Sequence, residues 1–384
     1  MDEFDVIICG SGPSGTTCAL ALANSHLKVA VLDKASFPRS KVCGDAVAAY
    51  VPKILRSIDP KYAVALENFE AKTLVNTCRI IAPNQKYIDV ISKEPGFISA
   101  RWDWDYFLYN LALKETNIHF FLNHELTAIS INENAGKVSV TANNKLFKAK
   151  IFIACDGAHS VSSKLLTAQA TDLKHYSAAV RAYYKNVSGF SPGTYELHFI
   201  NNILPGYFWI FPMENNMANV GICIPSSTIS KKKINLRKEM NQIINHHPSI
   251  KERFANAKLN GRIEGYGLPL GSAKRKVSGA HFMLAGDAAS LIDPSTGEGI
   301  GQSMISGRYA AWQAIKCCKE NNFSAAFMKQ YDKQLYGKLW KEARLSYWLQ
   351  KIFFSNKILF NRCFHFLSNH KKLQQAIISK VVKV

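Results

Sequence analysis

Residues 4–33 read FDVIICGSGPSGTTCALALANSHLKVAVLD, and their order decides the fold. Phe4 to Cys9 is an apolar run of the length of a buried strand. Gly10-Ser11-Gly12-Pro13-Ser14-Gly15 follows at once and opens an apolar helical pattern. Lys28 to Leu32 is a second strand, ending in Asp33. Gly10 permits a tight turn, Gly12 lets a pyrophosphate approach the backbone, and Gly15 brings the helix close to the strand. Free amides at the helix start, near Pro13 and Ser14, suit phosphate. Asp33 stands 23 residues after Gly10, placed to accept from an adenosine ribose hydroxyl. A lone GxGxxG is weak evidence, but strand, loop, helix, strand and acid in this order predict a dinucleotide site.

The fingerprint does not separate a flavin from a nicotinamide, so later segments must. Lys145 to Ala154 reads as one apolar strand, followed by Cys155-Asp156-Gly157-Ala158-His159-Ser160. A further strand, His281 to Ala285, leads into GDAASLIDPSTGEGIG at 286–301 and then a helical stretch from Gln302 to Lys316. Four glycines among acids ahead of a helix can turn backbone amides and a helix end towards a ribityl chain, a phosphate and a ring. His159 either meets cofactor phosphate or caps the helix that begins near Ser160.

These pieces together resemble the group A flavoprotein monooxygenase superfamily, whose fold is that of p-hydroxybenzoate hydroxylase. Within it the chain is most similar to the geranylgeranyl reductase family. GSGPSG with Asp33 resembles the FAD-adenosine fingerprint, CDGAHS the DG motif, and the 286–301 stretch the second flavin segment in its P-x-x-G-E-G-I form. Lys41-Val42-Cys43-Gly44-Asp45 resembles the K-x-C-G-G stretch beside the flavin. Tyr207 to Pro212, YFWIFP, matches the Y-x-W-x-F-P motif that lines the substrate cavity. Arg101, Asp105 and Leu108 match R-x-x-x-D-x-x-L, whose arginine approaches FAD. The chain departs from the pattern at Asp45, where the family has a second glycine.

The resemblance implies FAD as cofactor, reduced by NAD(P)H or a ferredoxin-like carrier. It implies a cofactor-binding set of Gly10, Gly12, Pro13, Ser14, Gly15, Asp33, Lys34, Lys41, Cys43, Gly44, Arg101, Asp156, Gly157, Gly286, Asp287, Pro294, Gly297, Glu298, Gly299 and Ile300. Cys43 and Asp45 are the candidate catalytic residues: Cys43 shapes the site or relays a proton, with Lys41 two positions away favouring a thiolate. Asp45 either holds a proton or serves the turn. Tyr207, Trp209 and Phe211 alternate, so on a strand they share one face. They form either an aromatic cavity wall fit for an isoprenoid or plain core.

Composition narrows the rest. The 384 residues carry 48 Lys+Arg against 28 Asp+Glu, a net charge of +20, which fits an anionic lipid surface, an acidic carrier or an anionic cofactor. About half of that excess falls after Tyr331, where 11 basic and two acidic residues interleave with Trp340, Tyr347, Trp348, Phe353, Phe354, Phe360, Phe364 and Phe366. Such a segment either lies on anionic lipid or docks on the body with its lysines in water. No nucleic-acid partner is expected. Nine scattered cysteines, with no CxxC, read as reduced thiols, and no zinc or iron–sulfur site is expected. With no secretory pattern at the N-terminus and no long apolar run, a cytoplasmic protein with at most peripheral membrane association is expected.

The expected fold is α/β: a Rossmann-like FAD-binding domain interleaved with an α+β substrate domain, then a helical C-terminal region. Residues 1–75, 100–165 and 275–325 would build the first, 76–99 and 166–274 the second, and 326–384 the third. LRKEMNQIINHH reads as an exposed basic helix and AKRKVSG, 273–279, as a solvated turn. The expected activity is reduction of carbon–carbon double bonds in a prenyl chain on a lipid or quinone. The alternative is a flavin monooxygenase, or more remotely a halogenase, acting on a hydrophobic or aromatic substrate.

Overall fold

The computed structural model describes residues 2–370. Val6–Cys9, Val29–Leu32 and Ile151–Ala154 are buried at every position, as strands covered on both faces must be. They lie in a six-stranded sheet ordered Ser278–Gly279, Phe282–Leu284, Ile151–Ala154, Val6–Cys9, Val29–Leu32, Ile118–Phe121. All neighbours run parallel except the first pair. Pro13–Leu22 follows its strand directly and packs on the long helix Ile300–Lys319. Gly307 lies so close to the Ser14 carbonyl that a Cβ there would overlap it. The fingerprint loop and the 286–301 loop are thereby held at the same edge of the sheet.

Lys145 to Ala154 is not one strand. Lys145–Ala149 pairs antiparallel with Lys137–Ala142 in a small four-stranded sheet, and Ile151–Ala154 joins the cofactor sheet. The step falls at Lys150. Its amide and that of Ile151 both donate to the Asp5 carbonyl, and its ammonium meets Asp5 Oδ1 at 2.8 Å. Lys145–Ala149 is only partly buried, with Lys145 and Leu146 exposed, whereas Ile151–Ala154 is buried throughout.

The third, eight-stranded sheet has the order Lys258–Pro269, Tyr176–Lys185, Met217–Pro225, Tyr207–Met213, Thr194–His198, Thr73–Ile81, Tyr87–Ile98, Ala46–Val47. Its two faces carry separate cores. Phe208 and Ile210 join a cluster with Met240, Ile243 and Ile244. Tyr207, Trp209 and Phe211 join another with Phe199, Phe360 and Phe364. The helix Leu236–His246 is therefore half-buried rather than exposed, its apolar positions three and four apart being laid on the sheet. The 273–279 stretch is also more than a solvated turn. Val277 and Ser278 are buried, and Ser278–Gly279 is an edge strand.

The C-terminal region is helical: Ala325–Trp348, a wide turn at Leu349–Phe354, and Lys357–Asn369. Tyr331 anchors it by donating to the Leu284 carbonyl at 2.6 Å. Phe354 stacks on Phe199 and Phe360 meets the same ring edge-on. Trp348, Ile352, Ile358 and Phe366 face outward instead. The expectation for the tail beyond His370 lies outside the described residues. Among the described residues, no helix is long and apolar enough to cross a membrane.

Candidate active site

Gly10 has φ +97°, and a Cβ at Gly10 would run into the Cys155 carbonyl, while one at Gly15 would overlap the Gly10 carbonyl. Both positions require glycine, one for conformation and one for space. A Cβ at Gly12 would meet no backbone; Arg39 Nη2 and Arg101 Nη2 stand 3.4 and 3.8 Å from that point. Two guanidinium groups thus overlook the start of Pro13–Leu22, which has no side-chain cap. Arg101 grips Asp105 through two bonds of 2.6 and 2.7 Å, and Arg39 reaches the same carboxylate at 3.0 Å. Burial opposes the Asp105 charge, but Arg101 and Arg39 hold its carboxyl below the usual range. Arg39 belongs to no motif; its only signal in the sequence is its place two residues before Lys41.

Lys41 extends to Asp287 at 3.8 Å and lies over the Tyr266 ring. A Cβ at Gly157 would stand 3.4 Å from its Nζ. Lys41 is turned towards the cofactor loops, so its expected partnership with Cys43 is not what the geometry supports. Burial raises the Cys43 thiol above its ordinary value, and a thiol, not a thiolate, occupies this position. Asp156 accepts from Ser160 Oγ at 2.5 Å and the Ser162 amide at 2.9 Å, fixing the turn after Gly157. Ser160, donated to by the Ser163 amide, is the helix cap. His159 is exposed beside the Tyr266 ring, so capping falls to its neighbour.

In the 286–301 loop, Gly286 and Gly297 have φ of +62° and +71°. The Gly286 amide donates to Ser306 Oγ at 2.8 Å. Gly299 precedes Ile300–Lys319 without a side-chain cap of its own, and of the first-turn amides Gly301's is taken by Glu298. Glu298 accepts from the Gly301 amide at 2.8 Å and Tyr50 Oη at 2.9 Å; burial lifts its carboxyl to about 7 despite these donors. The Pro294 carbonyl accepts from Gln350 Nε2 at 2.6 Å, tying the loop to the C-terminal helices. Tyr207 Oη donates to the Thr296 carbonyl, joining the loop to the aromatic strand. Lys34 faces away from this convergence, in solvent and 3.8 Å from Glu125. Asp33 receives the Ser11 amide and hydroxyl at 2.7 and 2.8 Å, which fixes its carboxylate at the strand end.

Tyr207, Trp209 and Phe211 share one face, with ring centroids about 6 Å apart along the strand. Trp209 faces Gly221 across the pair of strands, and a Cβ there would overlap the indole. Gly44 sits on the same wall, its absent Cβ 3.3 Å from Phe211 and 3.8 Å from Trp209. The 43–45 turn therefore lies between wall and cofactor loops. Asn219 holds it there. Its Oδ1 accepts from Trp209 Nε1 at 3.0 Å, and its Nδ2 donates to the Cys43 carbonyl and to Asp45 Oδ2, each at 2.8 Å. Tyr183 Oη adds a bond of 2.6 Å to Asp45 Oδ2. Neither Asn219 nor Tyr183 is singled out by sequence; the one trace of Asn219 is a lone amide inside an apolar strand.

FAD fits these residues. The uncapped start of Pro13–Leu22, the glycines where the cofactor must approach, and Arg39, Lys41 and Arg101 nearby form a cradle for a pyrophosphate and a flavin. The comparisons agree. Residues 3–335 match the family model described as an FAD binding domain. The digeranylgeranylglycerophospholipid reductase of Thermoplasma acidophilum is 28% identical over 360 residues, covering 91% of this chain and 87% of that protein. The menaquinone reductase of Mycobacterium tuberculosis is 27% identical over 321 residues, 81% of this chain and 76% of that protein. Among solved structures, a geranylgeranyl bacteriochlorophyll reductase-like protein of Thermoplasma acidophilum superposes with TM-score 0.80 at 26% identity, over 91% of this chain and 87% of that one. A flavin-dependent brominase, at 18% identity and TM-score 0.78 over 99% of this chain and 93% of its own, shares the fold. The chain belongs to the FAD-binding-domain family, as an FAD-dependent oxidoreductase related to the geranylgeranyl reductases within the p-hydroxybenzoate hydroxylase-like flavoproteins.

Proposed function

We propose that this enzyme saturates carbon–carbon double bonds in a prenyl chain carried by a lipid or quinone. The observation that carries the reading is the wall of Tyr207, Trp209 and Phe211 meeting the Cys43–Asp45 turn beside the cofactor loops. Such a wall offers an isoprenoid apolar contact over its length and offers a small polar metabolite little. The relatives named for prenyl-lipid and menaquinone reduction support the same substrate class.

Bound FAD supplies the electron chemistry. The chain does the rest. Arg39, Lys41 and Arg101 would neutralise the pyrophosphate, Asp33 would accept from the ribose, and the amides from Ser14 on would meet the phosphate. Cys43, as a neutral thiol, shapes the cavity floor. The C-terminal helices roof the aromatic cluster through Phe354, Phe360 and Phe364 and exclude water from it.

The outer face of that roof joins exposed Trp348, Ile352, Ile358 and Phe366 to exposed Lys351, Lys357 and Arg362. This face is proposed to rest on anionic lipid, close to a substrate too apolar to leave the membrane. Each base near such a surface contributes about 1 kcal/mol. Reversing Lys351, Lys357 and Arg362 to Glu therefore abolishes sedimentation with anionic vesicles. The reductant is proposed to be NAD(P)H, or an acidic ferredoxin-like carrier drawn by the positive charge.

The test is product mass from FAD-loaded enzyme with chemically reduced flavin and detergent-dispersed prenyl lipids and quinones, with and without oxygen. Gains in steps of two hydrogens that persist without oxygen support the reductase. A gain of one oxygen, lost anaerobically, replaces it with the monooxygenase reading.

A further inference from the structure

We propose that Asp45 is the acid that delivers the proton when the alkene is reduced, with Tyr183 as its link to solvent. This rests on the prenyl reductase reading above. Three observations converge on the residue. Asp45 is fully buried at the turn that meets the aromatic wall. Its backbone is left-handed, with φ +67°, a conformation aspartate shares with glycine and asparagine. Its two oxygens are unlike: Oδ2 receives both Tyr183 Oη and Asn219 Nδ2, while Oδ1 is buried with no hydrogen-bond partner. Finally, Tyr183, whose hydroxyl is bonded to the carboxyl, is itself only half-buried.

The asymmetry places the proton. With Oδ2 already accepting two hydrogens, a protonated Asp45 carries its own on Oδ1, the oxygen left free to give it away. Oδ1 has no partner in either form, so it is burial of the charge that separates them, and this disfavours the carboxylate. Burial correspondingly raises the Asp45 carboxyl to about 6, against the lowering by its two donors and by Arg181 and Arg101. The charged groups facing it are Arg181 on its own side of Tyr183, held by Glu264 at 3.2 Å, and Arg101 behind Cys43, held by Asp105. Both cations are already paired.

The step balances. The alkene π bond breaks, one carbon takes two electrons and a hydrogen as hydride from the reduced cofactor, and the other takes H⁺ from Oδ1. Asp45 is left as carboxylate; Tyr183 Oη gives its proton to Oδ2 and takes one from water, and the carboxyl turns over to present the new proton again. Asn219 is a positioning residue: it orients both the Asp45 carboxylate and the Cys43 carbonyl while fixing Trp209.

The test compares wild type with Asp45→Asn and Tyr183→Phe. Asparagine keeps the left-handed backbone and an acceptor but carries no transferable acid. FAD-loaded proteins are reduced with dithionite and mixed anaerobically with a dispersed prenyl lipid, following reoxidation against pH in H₂O and D₂O. Asp45→Asn is expected to slow reoxidation about 10²–10⁴-fold, to lose the wild-type pH break and solvent isotope effect, and to bind FAD unchanged. Tyr183→Phe keeps the first turnover and slows later ones. Independently of activity, infrared titration of the apoproteins shows a carboxylic acid band in wild type at pH 5 that Asp45→Asn lacks. If Asp45→Asn reoxidises within threefold of wild type with the same pH break, the proposal is overturned. Absence of that band from the wild-type apoprotein overturns it as well. A wild type that reduces no prenyl alkene defeats the substrate reading and the acid's role together; a competent wild type with an unaffected Asp45→Asn defeats the acid alone.

Discussion

Replacing Asp45 with asparagine should change the pH dependence of folding by an amount the site itself sets. The carboxyl titrates at 3.8 when unfolded and at about 6 when folded, with burial the main cause. A folded pKa above the unfolded one means that the native state binds the proton more tightly. Its contribution is fully present below pH 3.8, declines as pH rises through the interval, and is gone above about 6. A displacement of about two units at 1.36 kcal/mol each amounts to about 3 kcal/mol. Full burial leaves little solvent to screen it. All other groups titrate alike in both proteins, so the difference between them isolates this residue. Urea unfolding of the two apoproteins from pH 4 to 8 should therefore show the asparagine variant gaining about 2 kcal/mol on the wild type as pH rises, the rest falling below pH 4. A difference flat to within about 1 kcal/mol would refute the reasoning. It would mean that Asp45 is solvated or is neutralised by Arg181 or Arg101 in the folded protein.

Other perturbations read other parts of the site. Gly15→Ala must push the Pro13–Leu22 helix away from the Gly10 carbonyl, so purified protein should lose its flavin absorbance, while far-ultraviolet circular dichroism keeps most of its helix signal. Arg101→Ala strips Asp105 of its bidentate partner and leaves Arg39 alone beside it; a loss of about 3 kcal/mol is expected, at the low end for a broken buried pair, read as a lower denaturant midpoint together with weaker FAD binding. Phe360→Ala empties the centre of the ring cluster under the roof and should cost about 3–5 kcal/mol. Limited proteolysis should then cut first within 349–369. Gly221→Ala displaces the Trp209 indole, and its tryptophan emission should shift while FAD affinity is kept.

The parts legible in sequence are those whose cause is local. A glycine needed because its own backbone turns, or because the next carbonyl is too near, leaves its mark within a few positions. The fingerprint at 10–15, the Gly157 turn and the 286–301 loop therefore stand out from the residues alone. Alternation along Tyr207, Trp209 and Phe211 is equally local, since a strand's two faces are fixed by period two. What escapes is contact across long separations. Asn219 meets Cys43 and Asp45 from 176 and 174 residues away, and Tyr183 meets Asp45 from 138. Nothing near Asn219 distinguishes it from a strand residue awaiting some partner. The break at Lys150 escapes for a related reason: it is set by which strands the two halves pair with, Lys137–Ala142 on one side and Val6–Cys9 on the other.

The strand Met217–Pro225 then has a larger part in the chemistry than its plain sequence suggests. Gly221 leaves the space that the Trp209 indole occupies, and Asn219, two residues earlier on the same strand, takes that indole's N–H. Asn219 also spends both its amide hydrogens on the 43–45 turn. The orientation of the amide is forced: reversing it would set Nδ2 against an indole donor and Oδ1 against two acceptors. Wall and acid are consequently not adjusted separately. Any change that tilts Trp209 is transmitted through a single side chain to the Asp45 carboxyl, and Asn219→Ala should disturb both at once. It leaves Trp209 Nε1 and the Cys43 carbonyl without partners and Asp45 with one donor instead of two. At about 1–3 kcal/mol for each buried group left unpaired, destabilisation of several kcal/mol is expected. Losing a donor also drives the Asp45 carboxyl further above 6, so the low-pH advantage of the wild-type residue extends upward. A variant that kept the wild-type tryptophan emission and the same pH profile would show that wall and acid are independent after all.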